Sequence, residues 1–89
     1  MYTIVFTQEA QQDVIALRSR SPQALRKLTK LLDELREHPR TGTGQVEQLR
    51  YFDTETWSRR LDREHRLVYE IHETEIVVLV LSAFGHYKK

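Results

Sequence analysis

The most constraining feature of the sequence is a two-residue alternation that runs from Trp57 to Ile71. After a polar break at 62–64, apolar residues alternate with other residues, which is the pattern of a strand with one buried face. The apolar positions are Leu67, Tyr69 and Ile71, and between them stand Arg66, Val68 and Glu70. The pattern predicts a β-hairpin that carries arginine on the face away from the core.

The register of this hairpin decides which arginines meet. If the loop has three residues, Arg60 stands opposite Arg66. Ser58 and Glu70 then lie on the same face. A loop one residue shorter places Arg59 opposite Arg66 instead. Two directly opposed like charges repel by about 1 kcal/mol at roughly 4 Å in water. The arginine pair therefore indicates a bound anion. The alternative is that these arginines only make the surface soluble and form ion pairs with nearby carboxylates.

The length and the cysteine content limit the possible folds. With 89 residues, the chain is expected to form one domain, residues 1–89, around a single two-layer core. It contains no cysteine, so neither disulfides nor thiolate-bound zinc are expected. No apolar run approaches the ~20 residues that span a bilayer, and the first residues lack the basic lead of a signal peptide. We expect a cytoplasmic protein without membrane association.

The charge of the chain is unevenly distributed. The formal net charge is only +1, but basic residues gather at 18–30, at 59–66 and at Lys88 and Lys89. This balance is weaker than that of a protein that holds duplex nucleic acid by counterion release alone. Any contact with nucleic acid is therefore expected to be local or to be supported by a larger assembly.

Two helices are predicted in the first half. Residues 2–6 have the character of a short strand, and Thr7 is a suitable N-cap for a helix from 8 to about 18. Ser21 followed by Pro22 is a second start signal. Leucines then repeat at helical spacing until Pro39, which disfavours helical backbone at the preceding residue. The two helices are expected to form a hairpin.

The second half is predicted to be mainly β-structure. A Gly-rich loop at 40–45 precedes a short strand at 46–50, then the hairpin and a terminal strand from 75 to about 84. The terminal strand is apolar on both faces, which is typical of the interior of a sheet. The fold class is α+β: a twisted, mainly antiparallel sheet with the helical hairpin on one face. The other face is expected to stay partly open and to carry the arginines.

Residues from three segments have the chemistry of a metal-independent RNA phosphodiesterase. Glu47 can act as a base and His86 as an acid, while Arg60 and Arg66 can hold a phosphate through parallel hydrogen bonds. Tyr87 can stack on a base. No cofactor or metal is expected. Each residue also has a structural alternative: Glu47 as a solvated carboxylate, and His86 with Tyr87 as a polar edge packed on the core.

Several motifs together resemble the Txe/YoeB toxins of the RelE/ParE superfamily. These motifs are Phe6-Thr7-x-x-Ala10-x-x-Asp13, Gly42-x-Gly44-x-x-Glu47-x-Leu49, Trp57-Ser58-Arg59-Arg60-Leu61-x-x-Glu64-His65-Arg66-Leu67-Val68-Tyr69, and the His86-Tyr87 pair. The resemblance covers nearly the whole chain, and the Trp57 to Tyr69 block is its most specific part. It implies a microbial-ribonuclease-like fold and a ribosome-dependent mRNA endonuclease.

The resemblance also implies roles for individual residues. The catalytic set comprises Glu47 as general base, Arg66 as the phosphate-stabilising arginine, His86 as general acid and Tyr87 beside it. Arg60 matches a supporting arginine, Arg50 occupies the basic position after the glutamate motif, and Arg59 is grouped with both as RNA- or phosphate-binding.

The resemblance further implies partners. They are a cognate YefM/Phd-like antitoxin, the ribosome with its mRNA, and a second copy of the chain in a homodimer.

Two other functions remain open. One is a ParE-like inhibitor of DNA gyrase that does not cleave RNA. The other is a non-catalytic module that binds RNA or a protein partner.

Overall fold

The computed structural model describes residues 1–83, which form two helices and a five-stranded mixed sheet. In chain order the elements are β1 (Thr3–Phe6), α1 (Gln8–Arg20), α2 (Pro22–Glu37), β2 (Glu47–Leu49), β3 (Thr56–Arg60), β4 (His65–Ile71) and β5 (Glu75–Ala83). Neither helix of this part combines the length and apolar character that crossing a bilayer requires. The α+β class predicted from the sequence is confirmed.

Side-chain caps define the helical hairpin. Thr7 Oγ1 accepts a hydrogen bond from the amide of Ala10 and so begins α1, as predicted. Ser21 ends α1 and begins α2, since its amide donates to the carbonyl of Leu17 and its Oγ accepts from Ala24. Helix α1 therefore extends to the residue before Ser21, slightly beyond the predicted end near residue 18.

The strand order is β1-β5-β4-β3-β2. Strand β1 is parallel to β5, and the other neighbouring pairs are antiparallel, so the mainly antiparallel sheet is confirmed. Strand β5 lies between β1 and β4, which explains why it is apolar on both faces. Strand β2 is shorter than the predicted 46–50, and Gln45 and Tyr51, just outside it, both have positive φ.

The core lies between the helices and one face of the sheet. Its buried members include Ala10, Leu17, Ala24, Leu28, Leu31 and Leu35 from the helices, and Leu61, Leu67, Tyr69, Ile71, Ile76, Val78 and Leu81 from the hairpin and β5. In β4 and β5 these residues pair across the strands, as Leu67 does with Leu81 and Ile71 with Ile76. Cross-strand pairs of this kind stabilise a sheet.

The second face of the sheet is more covered than the sequence predicts. Thr56, Ser58, Arg66 and Val68 lie on this face, and all four are buried. The expectation of a partly open face is therefore wrong at these positions. On this face the long side chain of Arg66 extends to the neighbouring strand, where its Nε donates to Oγ of Ser58.

Candidate active site

The β3–β4 hairpin sets the arginines in the longer-loop register. Arg60 pairs with Arg66 across the two strands. The amide of Leu61 donates to the carbonyl of His65, so three residues remain in the loop. This confirms the facing arginine pair and excludes the alternative in which Arg59 opposes Arg66.

Asp62 fixes the loop that sets this register. Its Oδ1 accepts from the amides of Glu64 and His65, at 2.8 and 2.7 Å, and lies 2.9 Å from Nδ1 of His65. Its Oδ2 accepts from the hydroxyl of Ser21 at 3.1 Å. Burial raises the pKa of the Asp62 carboxyl, but hydrogen bonds from Glu64, His65 and Ser21 outweigh it and lower the pKa overall. His65 is thus part of the hairpin's support.

Arg66 is a buried guanidinium at the edge of the candidate site. The residue is only 4 % exposed. Its Nε donates to Oγ of Ser58 at 3.2 Å, and its Nη2 donates to the carbonyl of Gln45 at 3.4 Å. The same Nη2 lies 3.5 Å from Oε1 of Glu47. These contacts hold the guanidinium in one orientation between β2 and β4.

Glu47 presents a carboxylate to solvent beside this buried cation. It is the first residue of β2 and pairs with Ser58 of β3. Its side chain is 62 % exposed, although one oxygen lies within ion-pair distance of Arg66. An incoming ligand can therefore reach the carboxylate, which lies beside the buried guanidinium. The structure brings together two of the residues that the sequence predicts for the site.

Gln45 belongs to the same cluster and is not predicted by the sequence. Its φ is 52°, in the left-handed region. Its side-chain Oε1 accepts from Nε of Arg60 at 2.9 Å, while its backbone carbonyl accepts from Arg66. The only sequence signal is its place after Gly42 and Gly44, because a Gly-rich loop tolerates unusual backbone angles.

Arg50 lies just beyond the end of β2 and is exposed. It precedes Tyr51, whose φ is 70° and whose side chain is among the exposed large hydrophobic ones. A basic and an aromatic side chain thus stand on the surface at the end of the strand that begins with Glu47. Such a combination suits contact with single-stranded RNA.

Arg59 lies on the opposite face of β3, within the protein, and its grouping with the RNA-binding arginines is corrected. The residue is 0 % exposed. Its guanidinium donates to Tyr69, Glu34 and the backbone of the loop between α2 and β2. The reason is the two-residue period of the strand, which turns Arg60 toward the site and Arg59 toward the helices. A side chain without exposed area cannot reach RNA in this conformation.

The model of one protein family matches residues 6–87 of the chain. That family is described as the YoeB-like toxin of bacterial type II toxin–antitoxin systems. The chain belongs to this family. It is therefore a YoeB-type toxin, and the match includes all the segments that contribute predicted site residues.

Individual relatives agree with the assignment to the YoeB family. The chain is 33 % identical over 87 residues to Toxin YoeB of Mycobacterium bovis, covering 98 % of this chain and all of the relative. Among solved structures, the YoeB dimer from Staphylococcus aureus is similar with a TM-score of 0.82 and 29 % identity, covering 97 % of this chain and 98 % of that one. A heterotetrameric YoeB–YefM complex from the same organism has a TM-score of 0.79 and 27 % identity, covering 98 % and 99 %.

The remaining predicted residues of this YoeB-type toxin, His86 and Tyr87, lie outside the described residues. Within residues 1–83, no group of three or more His, Cys, Asp or Glu side chains is arranged to hold a metal ion. Nε2 of His72 lies 3.0 Å from Oε1 of Glu70 on the surface of this part of the chain.

Proposed function

We propose that this YoeB-type toxin is a ribosome-dependent mRNA endonuclease. The observation that carries the proposal is the accessible carboxylate of Glu47 beside the nearly buried guanidinium of Arg66, 3.5 Å away. Within a chain of this family, that pair supplies a proton acceptor and a phosphate-stabilising cation at one place. Ribosome-bound mRNA would bring the scissile phosphate to the pair in a fixed orientation.

Cleavage begins when Glu47 accepts the proton of the ribose 2′-hydroxyl. The 2′-oxygen attacks the adjacent phosphorus, and the bond from phosphorus to the 5′-oxygen of the next nucleotide breaks. Arg66, supported by Arg60, stabilises the negative charge that develops on the phosphate. His86 donates a proton to the leaving 5′-oxygen, and Tyr87 stacks beside the reacting nucleotide.

The products of this reaction are a 2′,3′-cyclic phosphate and a 5′-hydroxyl. Since the nucleophile is the 2′-hydroxyl of the substrate, only RNA is cleaved. In this proposal the acid and base residues of the chain act without a metal or cofactor. Arg50 contributes to RNA binding from the surface beyond β2. This chemistry stops translation on the cleaved message and acts in the cytoplasm, where ribosomes are found.

The partners follow from the family. The Staphylococcus aureus relatives form a YoeB dimer and a YoeB–YefM complex. Their likeness to this chain supports the proposal that it, too, forms a homodimer and binds a cognate YefM/Phd-like antitoxin. The antitoxin would prevent cleavage until it is removed.

The test is cleavage of mRNA bound to purified ribosomes. Wild type is compared with Glu47→Ala, Arg66→Ala and His86→Ala, and the 3′-end of the product is analysed for a cyclic phosphate. Matched controls remove the same charge or ring from surface positions of the chain. They are Glu73→Ala, Arg63→Ala and His72→Ala, all at exposed residues.

We expect wild type and the three controls to cleave, and each site variant to lose about 10²-fold or more in cleavage rate. Because Arg66 is nearly buried, Arg66→Lys is included as a variant that keeps the positive charge. Intact message with wild-type toxin would contradict the proposal, as would undiminished cleavage by all three site variants. Inhibition of DNA supercoiling without RNA cleavage would favour a ParE-like action instead.

A further inference from the structure

We propose that Arg59 is a positioning residue for the active site, an inference that rests on the proposed function. It contacts no substrate. Instead, its buried guanidinium holds the segment that joins α2 to β2, residues 38–46 (the positioned segment below). This segment leads directly into Glu47, so its conformation determines where the carboxylate lies relative to Arg66.

The guanidinium of Arg59 is saturated by hydrogen bonds from within the protein. An arginine has five N–H donors in a planar fork, and the following acceptors occupy the fork of Arg59. Nε donates to Oη of Tyr69 at 3.1 Å, Nη1 to Oε1 of Glu34 at 2.8 Å and to the carbonyl of Thr43 at 3.3 Å, and Nη2 to the carbonyls of His38 and Thr41 at 2.8 and 2.7 Å.

Three of these acceptors are backbone carbonyls of the positioned segment, which has no regular helix or strand. Such a segment cannot satisfy its own carbonyls through a ladder of backbone hydrogen bonds. The guanidinium takes that role, and Tyr69 adds to it because its hydroxyl donates to the carbonyl of Pro39 at 2.7 Å. Arg59 and Tyr69 thus tie successive points of the segment to the sheet.

Glu34 ties the same segment to α2. Its Oε1 accepts from Nη1 of Arg59 and also from the amide of Thr43, at 2.9 Å. Gly42 passes close to both charged groups: a Cβ at this position would lie 2.5 Å from Oε1 of Glu34 and 3.1 Å from Nη1 of Arg59. The chain therefore approaches the ion pair as closely as a glycine allows.

The positioned segment continues without interruption into the active site. The carbonyl of Gly44 accepts from the amide of Arg60 at 2.6 Å. The next residue, Gln45, contacts both Arg60 and Arg66, and Glu47 then begins β2. Arg59 binds the segment on the face of β3 that is turned toward the helices, while Arg60 contacts the same segment on the face that carries the site. Any shift of the segment therefore moves the Glu47 carboxylate and the Gln45 carbonyl relative to Arg66.

Stability alone is a poor explanation for a buried arginine. Removing a guanidinium from water is costly, and buried ion pairs are often no better for stability than apolar residues of similar size. What the planar fork offers, and an apolar side chain does not, is a defined position for several carbonyls at once. A catalytic carboxylate requires such placement, because an error of about 1 Å can lower a rate about 10²-fold.

The test compares Arg59→Lys with wild type. Lysine keeps the buried charge but has three donors instead of five. Glu34→Gln is a second variant, since it leaves Arg59 intact and alters its acceptor at a partly exposed position. Leu28→Ala is the control, because it removes packing from the buried core and its apolar side chain takes no part in the hydrogen bonds that hold the positioned segment. Thermal unfolding establishes which proteins are folded at the assay temperature.

Two measurements are made on each folded protein: amide hydrogen exchange, and single-turnover cleavage of mRNA on saturating ribosomes. We expect Arg59→Lys to speed exchange at Thr43 and Glu47 by about tenfold or more, relative to amides of β4. We expect its cleavage rate to fall about 10²-fold with ribosome affinity unchanged. Glu34→Gln should act in the same direction but more weakly. Leu28→Ala should lower the unfolding temperature and leave the single-turnover rate unchanged.

A folded Arg59→Lys protein that cleaves at the wild-type rate would overturn the inference. Reduced cleavage without faster exchange in the positioned segment would overturn it as well, because the loss of activity would then not come from movement of that segment. Wild-type protein that cleaves no mRNA would instead refute the proposed function. In that case the exchange measurement still decides whether Arg59 holds the segment, so the two failures are distinguishable.

Discussion

Arg60 and Arg66 stand opposite each other on β3 and β4, and both guanidinium groups donate a hydrogen bond to Gln45. The side-chain carbonyl of Gln45 accepts from Arg60, and its backbone carbonyl accepts from Arg66. Carbonyl dipoles reduce the repulsion between two cations without adding a full negative charge. The pair therefore retains positive potential beside Glu47, which suits a substrate that carries a phosphodiester.

Glu47→Gln tests whether the carboxylate is needed for chemistry rather than for folding. We expect the cleavage rate to fall about 10²- to 10⁴-fold, because the amide cannot accept the 2′-hydroxyl proton as a base. We expect the free energy of unfolding to change by no more than about 1 kcal/mol, since the side chain is largely exposed and such ion pairs contribute little. Single-turnover cleavage and denaturant unfolding measure the two effects.

Glu73→Gln is the matched control for this substitution, since it makes the same change at another exposed carboxylate. It should leave both quantities unchanged. A Glu47→Gln protein that cleaves normally would show that Glu47 is not the base. A strongly destabilised one would show that its contact with Arg66 is primarily structural.

Gly42→Ala tests the close passage of the positioned segment over the Glu34–Arg59 pair. The φ of Gly42 is +125°, and an added Cβ would lie 2.5 Å from the Glu34 carboxylate. Backbone strain of this kind costs about 1–3 kcal/mol, and the displaced ion pair adds to it. We expect a loss of stability in this range or above it, measured by denaturant unfolding, together with slower mRNA cleavage.

The control for Gly42→Ala is Thr41→Ala, a change at a neighbouring exposed residue whose backbone carbonyl still accepts from Arg59. It should keep both stability and activity. If the two substitutions had equal effects, the close approach of Gly42 to Glu34 would not constrain the segment.

The parts of the fold that sequence predicts correctly depend on local chemistry. Thr7 and Ser21 cap helices through bonds to amides three residues ahead, so their role is visible in a short stretch of sequence. Arg60 stands opposite Arg66 because the hairpin loop has three residues, and this loop length can be proposed from the sequence. In each case the interacting groups are separated by only a few residues.

The burial of Arg59 and its hydrogen bonds depend on residues that are distant in sequence. The alternation of the strand places it on the face of Leu61, but its acceptors come from Glu34, Tyr69 and a loop without regular structure. No pattern within the strand indicates these partners. The contacts of Gln45 with Arg60 and Arg66 are also distant in sequence, and the Gly-rich loop before Gln45 gives only a weak indication of them.

Acid stability tests the contacts of the Glu34 carboxylate with Thr43 and Arg59. Hydrogen bonds from Thr43, and after them the interaction with Arg59, outweigh the opposing effect of burial and lower the pKa of Glu34 below its ordinary value of 4.5. The unfolded carboxyl thus binds its proton at a higher pH than the folded one. The stabilisation is fully present above the unfolded pKa and is lost as the pH falls through the folded pKa. Glu34→Gln removes this dependence.

We therefore expect the stability difference between wild type and Glu34→Gln to be largest near neutral pH and to shrink below about pH 4.5. Denaturant unfolding at several pH values between about 7 and 3 measures it. Glu37→Gln, an exposed substitution on the same helix, provides the comparison. A difference that stays constant over this range would mean that the charge of Glu34 does not strengthen its contacts with Thr43 and Arg59.

Asp62→Ala tests whether the hairpin loop maintains the register of the two arginines. The carboxylate of Asp62 accepts from the amides of Glu64 and His65 and from the hydroxyl of Ser21. Removing it leaves these donors without that acceptor, and we expect a loss of about 1–3 kcal/mol in unfolding free energy.

Exchange at the amide of Leu61, which bonds to His65 across the loop, should become faster in Asp62→Ala. Arg63→Ala, in the same loop but exposed, should change neither stability nor exchange. Because Arg60 and Arg66 form the next strand pair beyond Leu61 and His65, which close this loop, a loosened register should also lower mRNA cleavage. Full cleavage by an Asp62→Ala protein with fast Leu61 exchange would show that the strands, rather than the loop, hold the arginine pair in place.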